Sequence, residues 1–306
     1  MITSNKLAYF QDRLDEGKRP ITADIYLTDY CNNTCRYCRF GKRSGKAMSY
    51  DMFVKVYERL HDLGVRGFIL TGGGEPTINP YFGKITAFLE SVGASYGVNT
   101  NFNVYREFTP VFLKISIDEG ERGKYKDLRG VDKLMEVVGN VRRYRQFLER
   151  TGGKTRVGVQ CVANSVEQVK RFHLFVSEML WAYVDYIQFR PVEMVGENID
   201  YSQILEYIDH VKRFDKKVYR SYKFDHVATA FDSCPASWAA ITVDVEGMVH
   251  YCCNRPDMVV GSIFDEDILA KKAAIVPDMS KCERPCRLTG ANVQMRVERD
   301  REINFI

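Results

Sequence analysis

Three cysteines in one polar loop constrain this chain more than any other feature. Cys31, Cys35 and Cys38 have the spacing C-x3-C-x2-C and lie in a segment (residues 28–38, the cysteine loop) that follows a strand-like apolar run. Three thiolates so close together suit one metal centre, and a [4Fe–4S] cluster with three cysteine ligands keeps one iron free to bind something else. A zinc site that takes a fourth ligand from elsewhere in the chain is the alternative.

The nine cysteines of this 306-residue chain favour metal binding in a reducing compartment over disulfide bonding. The N-terminal segment is polar, with Lys6, Asp12 and Arg13, and lacks the apolar core of a secretory signal. No run of about eighteen apolar residues is present, so we expect no membrane span and a cytoplasmic protein. The formal net charge of +4 is too small to predict nucleic-acid binding by itself.

Strand-like and helix-like segments alternate along the chain after a short amphipathic helix predicted over residues 6–18. We predict strands at 23–28, 66–71, 94–98, 111–117, 156–162 and 183–189, and helices at 50–63, 81–91, 132–149, 165–180 and 202–219. This alternation predicts parallel βαβ units. After residue 221 the helical periodicity fades and Cys, Pro, Gly and turn residues dominate.

A glycine run follows the second predicted strand, in the sequence TGGGEP at 71–76. Glycines let the backbone approach a ligand closely, and the adjacent carboxylate can pair with an ammonium group. Together with the cysteine loop, this segment resembles the radical S-adenosylmethionine (SAM) superfamily. In that superfamily the open iron chelates SAM, and an electron from the cluster splits SAM into methionine and a 5'-deoxyadenosyl radical that removes a hydrogen atom from the substrate.

The resemblance implies an α/β fold, a partial (βα)6 barrel, whose site lies at the carboxyl ends of the strands. Together with the change of texture after residue 221, it leads us to expect four parts of the chain: an N-terminal helix at 1–22, the barrel at 23–221, a small C-terminal module at 222–290 and a tail at 291–306. The residues that match the SAM amino-group contacts of the superfamily are Gly73, Gly74 and Glu75.

Further candidate SAM or substrate contacts lie at the ends of later strands. Asn99 begins a polar exit from the third strand, although such residues can equally cap a helix. In the fourth strand, period two puts Lys114, Ser116 and Asp118 on one face, and the resemblance assigns Ser116 or Asp118 to the SAM ribose or the substrate. Gln160 and Arg190 are further candidates. A structural alternative for Arg190 is pairing with Glu193 or a backbone carbonyl.

A second set of cysteines lies in the C-terminal part of the chain, at Cys234, Cys252, Cys282 and Cys286. Between the first two, a turn at Gly247 separates two strand-like runs, which predicts a β-hairpin. The arrangement resembles the shortened auxiliary-cluster module called twitch, a relative of the SPASM domain, and implies one auxiliary [4Fe–4S] cluster. A four-cysteine zinc site is the alternative.

A basic cluster accompanies the cysteine loop, at Arg36, Arg39, Lys42, Arg43 and Lys46. It is either a solvated loop or a docking face for an acidic electron donor, flavodoxin-like or ferredoxin-like.

Members of the superfamily differ in what happens to the substrate radical, and here the substrate is expected to be a peptide or a small molecule such as a sugar. We predict an epimerase in which Cys253, beside a cluster ligand, returns a hydrogen atom to the radical. A dehydrogenase that passes an electron to the auxiliary cluster is the nearest alternative, followed by a peptide maturase and a non-catalytic electron carrier. The other cysteine outside the two predicted ligand sets, Cys161, either faces the reaction chamber inside the barrel or packs against a helix.

Overall fold

The computed structural model describes residues 19–38, 40, 44–193, 199–226, 232–282, 286, 288–290 and 292–293. The helix predicted over residues 6–18 and nearly all of the tail at 291–306 lie outside the described residues. Within the described residues, ten strands form one sheet in the order β10-β9-β8-β1-β2-β3-β4-β5-β6-β7. The strands are β1 (Thr22–Tyr26), β2 (Gly67–Thr71), β3 (Ser95–Thr100), β4 (Phe112–Ser116), β5 (Arg156–Ala163), β6 (Tyr186–Pro191), β7 (Val218–Arg220), β8 (Ala240–Val243), β9 (Met248–His250) and β10 (Val259–Ser262).

The α/β fold predicted from the alternating pattern is confirmed, because β1 to β7 are parallel neighbours along the sheet. In the described part of the chain the α-helices are α1 (Tyr50–Asp62), α2 (Phe82–Ser91), α3 (Arg122–Arg129), α4 (Leu134–Thr151), α5 (Val166–Met179), α6 (Ser202–Phe214) and α7 (Ile268–Ala274). No described helix has the length and apolar character needed to cross a membrane.

Helix starts follow the local sequence at two crossovers. The Ser49 hydroxyl accepts a hydrogen bond from Met52 N and begins α1, and the Ser165 hydroxyl does the same for Gln168 N in α5, both at 3.2 Å. These serine N-caps satisfy amides that the first helical turn leaves unpaired. The helix predicted to reach residue 219 ends at Phe214 instead, because the chain becomes extended at Asp215 and β7 then pairs with β6.

The two faces of the sheet have different chemistry. On the helix side, Val98, Ile115 and Val159 are among the residues with no exposure to solvent. On the opposite face, a Cβ at Gly97 would lie 2.1 Å from the Phe112 ring, and one at Gly158 would lie 2.0 Å from the Tyr186 ring. Phe112 and Tyr186 are the first residues of β4 and β6, so these rings lie toward the amino ends of the strands, whereas Ser116 and Gln160 on the same face lie toward the carboxyl ends.

The predicted C-terminal hairpin is present, and it extends the barrel sheet. Strands β8 and β9 are antiparallel around a turn at Gly247, which has a φ of 78°. Strand β8 also pairs in parallel with β1, with Asp24 opposite Thr242. The Arg59 guanidinium of α1 donates to the carbonyls of Ile263 and Asp265, at 3.2 and 3.1 Å, and so holds the residues that follow β10.

Candidate functional site

The cysteine loop leaves β1 and is fixed on one side by the exit of β3. Asn101 Nδ2 donates to Asn32 Oδ1 at 2.7 Å and approaches Cys31 Sγ at 3.6 Å. Asn103 Nδ2 donates to Asn33 Oδ1 at 2.6 Å. Asn101 belongs to the polar exit noted in the sequence, whereas nothing in the local pattern singles out Asn103. The first half of the loop is therefore held by amide side chains from a neighbouring strand end.

The end of α3 fixes the second half of the loop. Thr34 N donates to Arg129 O at 3.2 Å, and Arg36 N donates to Leu128 O at 2.9 Å. Gly130 ends the helix with a φ of 74°, and a Cβ there would lie 1.9 Å from the Thr34 hydroxyl. Cys35 is thus held between two backbone hydrogen bonds to one helix terminus.

Cys31 and Cys38 both lie within electrostatic reach of Cys35. Burial raises the pKa of Cys35 above its ordinary value, the Arg129 guanidinium opposes that shift, and negative charge on Cys31 and Cys38 adds to it. Among the described residues, no three His, Cys, Asp or Glu side chains converge closely enough to hold a single metal ion.

The glycine segment packs directly against the cysteine loop. A Cβ at Gly74 would lie 1.8 Å from Tyr30 O, and one at Gly72 would lie 2.1 Å from Gly74 O. The nearest atom to a Cβ at Gly73 would be Thr28 O, at 3.6 Å. Glu75 N also donates to Tyr30 O at 2.9 Å. Gly72 and Gly74 are therefore required by close backbone contacts, whereas Gly73 has room on its Cβ side.

The Glu75 side chain ties the end of β2 to the end of β3. Its carboxylate accepts from Thr77 N at 3.1 Å, the Thr77 hydroxyl at 2.7 Å, the Thr100 hydroxyl and Asn101 N at 2.7 Å. The side chain is buried, and burial raises its pKa while these donors counteract the shift. Four protein donors occupy this carboxylate, so its predicted pairing with an ammonium group stays a prediction.

Both carboxylate oxygens of Asp118 are paired with other groups of the protein, so this side chain is not free beside Ser116 as the strand pattern predicted. Strand β4 ends at Ser116, and Asp118 has a φ of 68°, so the period-two pattern stops before it. Its Oδ2 pairs with Arg129 Nη1 at 2.6 Å, and its Oδ1 accepts from Val162 N at 2.8 Å. Sequence reasoning did not single out Arg129, because a basic residue at the end of a helix is normally solvated.

Strand register brings the remaining candidates in the barrel onto one face of the sheet. Asn99 is paired with Lys114, Ser116 with Gln160, and Arg190 with Val162, two residues after Gln160. The Asn99 Oδ1 atom is buried without a hydrogen-bond partner among the described residues. An amide oxygen without a partner in a polar strand exit is suited to accept a hydrogen bond from a ligand.

Arg190 belongs to a charged cluster that the sequence predicted only in part. Arg190 Nη2 and Lys223 Nζ both lie 2.6 Å from Glu193 Oε1. The predicted pairing of Arg190 with Glu193 is therefore present. Burial lowers the pKa of Lys223, and Glu193 opposes that shift while Arg190 adds to it. Lys223 is also within electrostatic reach of Cys253. It lies in a stretch without periodicity, where no sequence signal marked it.

The second cysteine set lines one cavity. Cys234, Cys252, Cys282 and Cys286 share this lining with Cys253. Burial, with added negative charge from the other three thiols, raises the pKa of Cys234 to about 12. Asn292 Nδ2 approaches Cys234 Sγ at 3.3 Å, and the Thr289 hydroxyl approaches Cys286 Sγ at 3.6 Å. All four cysteines of the second set therefore line one cavity, and polar donors lie beside two of them.

The two spare thiols have different surroundings. Cys253 lines the second-set cavity, with its Sγ 3.3 Å from Asn254 Oδ1. Cys161 is fully buried in the hydrophobic core, and its Sγ lies 3.5 Å from Asp118 O. Cys161 therefore packs on the helix side of the sheet, which decides between its two predicted positions.

The basic cluster beside the loop is described only at two of its five residues. Lys46 Nζ pairs with Glu246 Oε1 at 2.7 Å, and Arg36 is exposed with its guanidinium 5.5 Å from the Tyr37 ring. Arg39, Lys42 and Arg43 lie outside the described residues.

Residues 25–153 match the family model described as the Radical SAM superfamily. The cysteine loop and the glycine segment both lie within the matched range.

Curated relatives match part of this chain. Proteins named "Probable GTP 3',8-cyclase" from Pyrococcus abyssi and Pyrococcus horikoshii are 30% identical over 141 and 140 residues, respectively. Each match covers 42% of this chain and 45% of the relative, so the chain spans less than half the length of these proteins.

Solved structures show the same fold over most of the chain. Streptococcus suis SuiB bound to S-adenosylmethionine has a TM-score of 0.65 at 15% identity, over 82% of this chain and 65% of that chain. A structure titled native anSMEcpe with bound AdoMet has a TM-score of 0.62 at 16% identity, over 84% of this chain and 83% of that chain. At these identities the likeness supports the fold alone.

Proposed function

We propose that this chain is a radical SAM enzyme that binds a [4Fe–4S] cluster at Cys31, Cys35 and Cys38 and cleaves SAM reductively to remove a hydrogen atom from a substrate. The observation that carries the proposal is the direct packing of the glycine segment on the cysteine loop, at Gly74 and Tyr30. When bound, the cluster and SAM would supply the electron and the radical. The chain's own residues hold the loop in place and shape the space beside it.

The SAM contacts that we propose lie on the inner face of the barrel and in the glycine segment. Because the Glu75 carboxylate already has four donors, we assign the SAM amino group to the backbone oxygens of the segment rather than to that carboxylate. Asn99, with its unpartnered Oδ1, is the first candidate for a polar contact to the nucleoside. Other candidates toward SAM or the substrate are Ser116, Asp118, Gln160 and Arg190.

We also propose that Cys234, Cys252, Cys282 and Cys286 bind an auxiliary [4Fe–4S] cluster. Their common cavity supports it, as do the donors from Asn292 and Thr289, since hydrogen bonds to sulfur are a usual feature of such sites. Anaerobically reconstituted protein should contain about eight iron per chain. About four iron with one zinc would instead favour the four-cysteine zinc site.

For the reaction outcome we propose an epimerase with Cys253 as the hydrogen donor. The thiol S–H bond breaks, its hydrogen passes to the substrate radical, and the sulfur radical is restored by one electron from the external donor and one proton. Two observations support this role. Cys253 lines the same cavity as the second cysteine set. It also lies within electrostatic reach of Lys223, which comes shortly after β7 in the chain. A dehydrogenase stays the alternative.

SuiB has been solved bound to its precursor peptide SuiA, and anSMEcpe with bound peptides, which makes a peptide the first class to test and a sugar the second. A reaction on GTP is a further candidate because the curated relatives carry a GTP 3',8-cyclase name. A flavodoxin-like or ferredoxin-like protein is the proposed electron donor, and the exposed Arg36 beside the loop supports such docking.

The deciding experiment is turnover in deuterated water with peptide, sugar and GTP substrates, followed by mass analysis. An epimerised product gains one deuterium, whereas an oxidised product loses two hydrogens. Cys253→Ala should abolish inversion while 5'-deoxyadenosine still forms, and Cys161→Ala is the matched thiol control. Unchanged product from Cys253→Ala would contradict the epimerase, and no deoxyadenosine from any substrate would contradict the radical SAM assignment.

A further inference from the structure

Two buried hydrogen-bond donors lie next to the cysteine loop. In the described part of the chain, neither Arg129 Nε nor the Tyr125 hydroxyl has a well-formed hydrogen bond, although the two side chains lie within hydrogen-bonding reach of each other. Tyr125 is fully buried and Arg129 is 8% exposed, so solvent does not replace the missing partner. Leaving buried donors unpaired costs free energy, and two of them on one helix call for a common explanation.

The fold directs this helix toward the cysteines. Tyr125 and Arg129 are four residues apart on α3 and so share one face of the helix. The same helix end accepts hydrogen bonds from Thr34 and Arg36, on either side of Cys35. Burial raises the pKa of Tyr125 to about 12; the adjacent Arg129 guanidinium opposes this shift, and negative charge on Asp118 and Cys35 adds to it. The two donors and the Cys35 thiol therefore occupy one buried region.

The guanidinium is held in place from its other edge. Arg129 Nη1 pairs with Asp118 Oδ2 at 2.6 Å, and Asp118 is itself held by Val162 N. Asp118 adopts a φ of 68°, a conformation that residues other than glycine rarely take. One edge of Arg129 is thus anchored to the ends of β4 and β5, while Nε is left for a partner outside the protein.

We propose that Arg129 Nε and the Tyr125 hydroxyl donate hydrogen bonds to sulfur atoms of the cluster held by Cys31, Cys35 and Cys38, and so raise its reduction potential. This inference rests on the proposed function. Reduction adds negative charge to the cluster, and donors and a cation beside the sulfurs stabilise the reduced state more than the oxidised one. Both residues are positioning residues for the cluster and are not assigned to the substrate.

The test is a redox titration of the reconstituted protein without SAM, followed by electron paramagnetic resonance. Tyr125→Phe and Arg129→Lys should each lower the potential of the SAM-binding cluster and remove exchangeable-proton couplings measured after transfer to deuterated water. Tyr144→Phe is the matched control, since that buried hydroxyl donates to Phe108 O at 2.6 Å. Arg122→Gln controls for charge on the same helix, because Arg122 pairs with Asp132 at 2.7 Å.

The outcomes are distinct. A potential and proton couplings unchanged in Tyr125→Phe would overturn the proposal, and because this variant keeps the Arg129–Asp118 pair, it is the one expected to fold normally. If the donors serve SAM instead, both variants will weaken SAM binding and leave the potential without SAM unchanged, which also overturns it. A wild-type protein that assembles no cluster at these cysteines would overturn the proposed function itself.

Discussion

Gly73 and Gly74 are neighbours in the sequence, yet their side-chain positions face different surroundings. At Gly74 the backbone of the cysteine loop leaves no space for a Cβ, whereas at Gly73 the nearest atom would be at an ordinary contact distance. The two glycines of the motif therefore have different structural roles. Gly74 lets two backbone segments approach closely, whereas the position of Gly73 can accommodate a Cβ at ordinary contact distance.

We expect Gly74→Ala to destabilise the protein by about 1–3 kcal/mol, the usual range for an added group in a packed site. The clash with Tyr30 O should also displace the cysteine loop and reduce iron bound at the first site. Urea unfolding and iron analysis of the reconstituted protein would measure both effects. Gly73→Ala is the matched variant, and it should retain its iron; equal losses in the two variants would show that the close contact is unimportant.

Lys223 predicts a pH effect on stability. Burial lowers its pKa in the folded protein below the ordinary value of 10.5, so between the folded pKa and 10.5 the unfolded chain binds more protons. The free energy of unfolding should therefore rise with pH across that window. Lys223→Met should remove this rise while Glu193 keeps its pairing with Arg190. Urea unfolding of both proteins at several alkaline pH values is the measurement, and parallel curves would contradict the prediction.

At the scale of single elements, α3 connects the barrel to the cysteine loop. Its role depends on backbone contacts to Thr34 and Arg36 that no periodicity in the sequence encodes. Two glycine C-caps allow this role to be tested. Gly130 and Gly152 end α3 and α4 with φ of 74° and 67°, but only a Cβ at Gly130 would meet the loop.

We expect Gly152→Ala to cost about 1–2 kcal/mol, the price of a left-handed conformation for a residue with a Cβ. Gly130→Ala should cost more, because its Cβ would also collide with the Thr34 hydroxyl, and it should lower iron binding at the first site. Thermal unfolding and iron content of the two variants give the comparison. A Gly130→Ala protein that matches Gly152→Ala in both respects would contradict a structural link between α3 and the loop.

The sequence predicted elements better than it predicted contacts. All six barrel strands follow from apolar runs, and the cysteine loop and glycine segment follow from their spacing. The sequence did not predict the ion pair of Asp118 with Arg129 or the pairing of Glu193 with two cations. In each case the contact depends on how the ends of different strands are arranged in space. The SAM contacts and cluster ligands stay predictions.

At the scale of the whole molecule, the C-terminal hairpin is part of the same sheet as the barrel. Strand β8 is buried along its length between β1 and β9, whereas β10 lies at the edge with partly exposed residues. Backbone amides of β8 should therefore exchange with solvent only on global opening, and those of β10 should exchange earlier. Hydrogen exchange followed by mass spectrometry tests this, and early exchange in β8 would indicate that the hairpin opens independently of the barrel.

The pairing of β8 with β1 also has a consequence during synthesis on the ribosome. Strand β1 is made first but obtains its second neighbour only after residue 243 has been made. Until then one edge of the nascent sheet has free amide and carbonyl groups, a state that favours pairing with other chains. The long separation between the partners also slows folding. A ribosome-bound chain that ends before β8 is thus the species in which we expect chaperone dependence to be greatest.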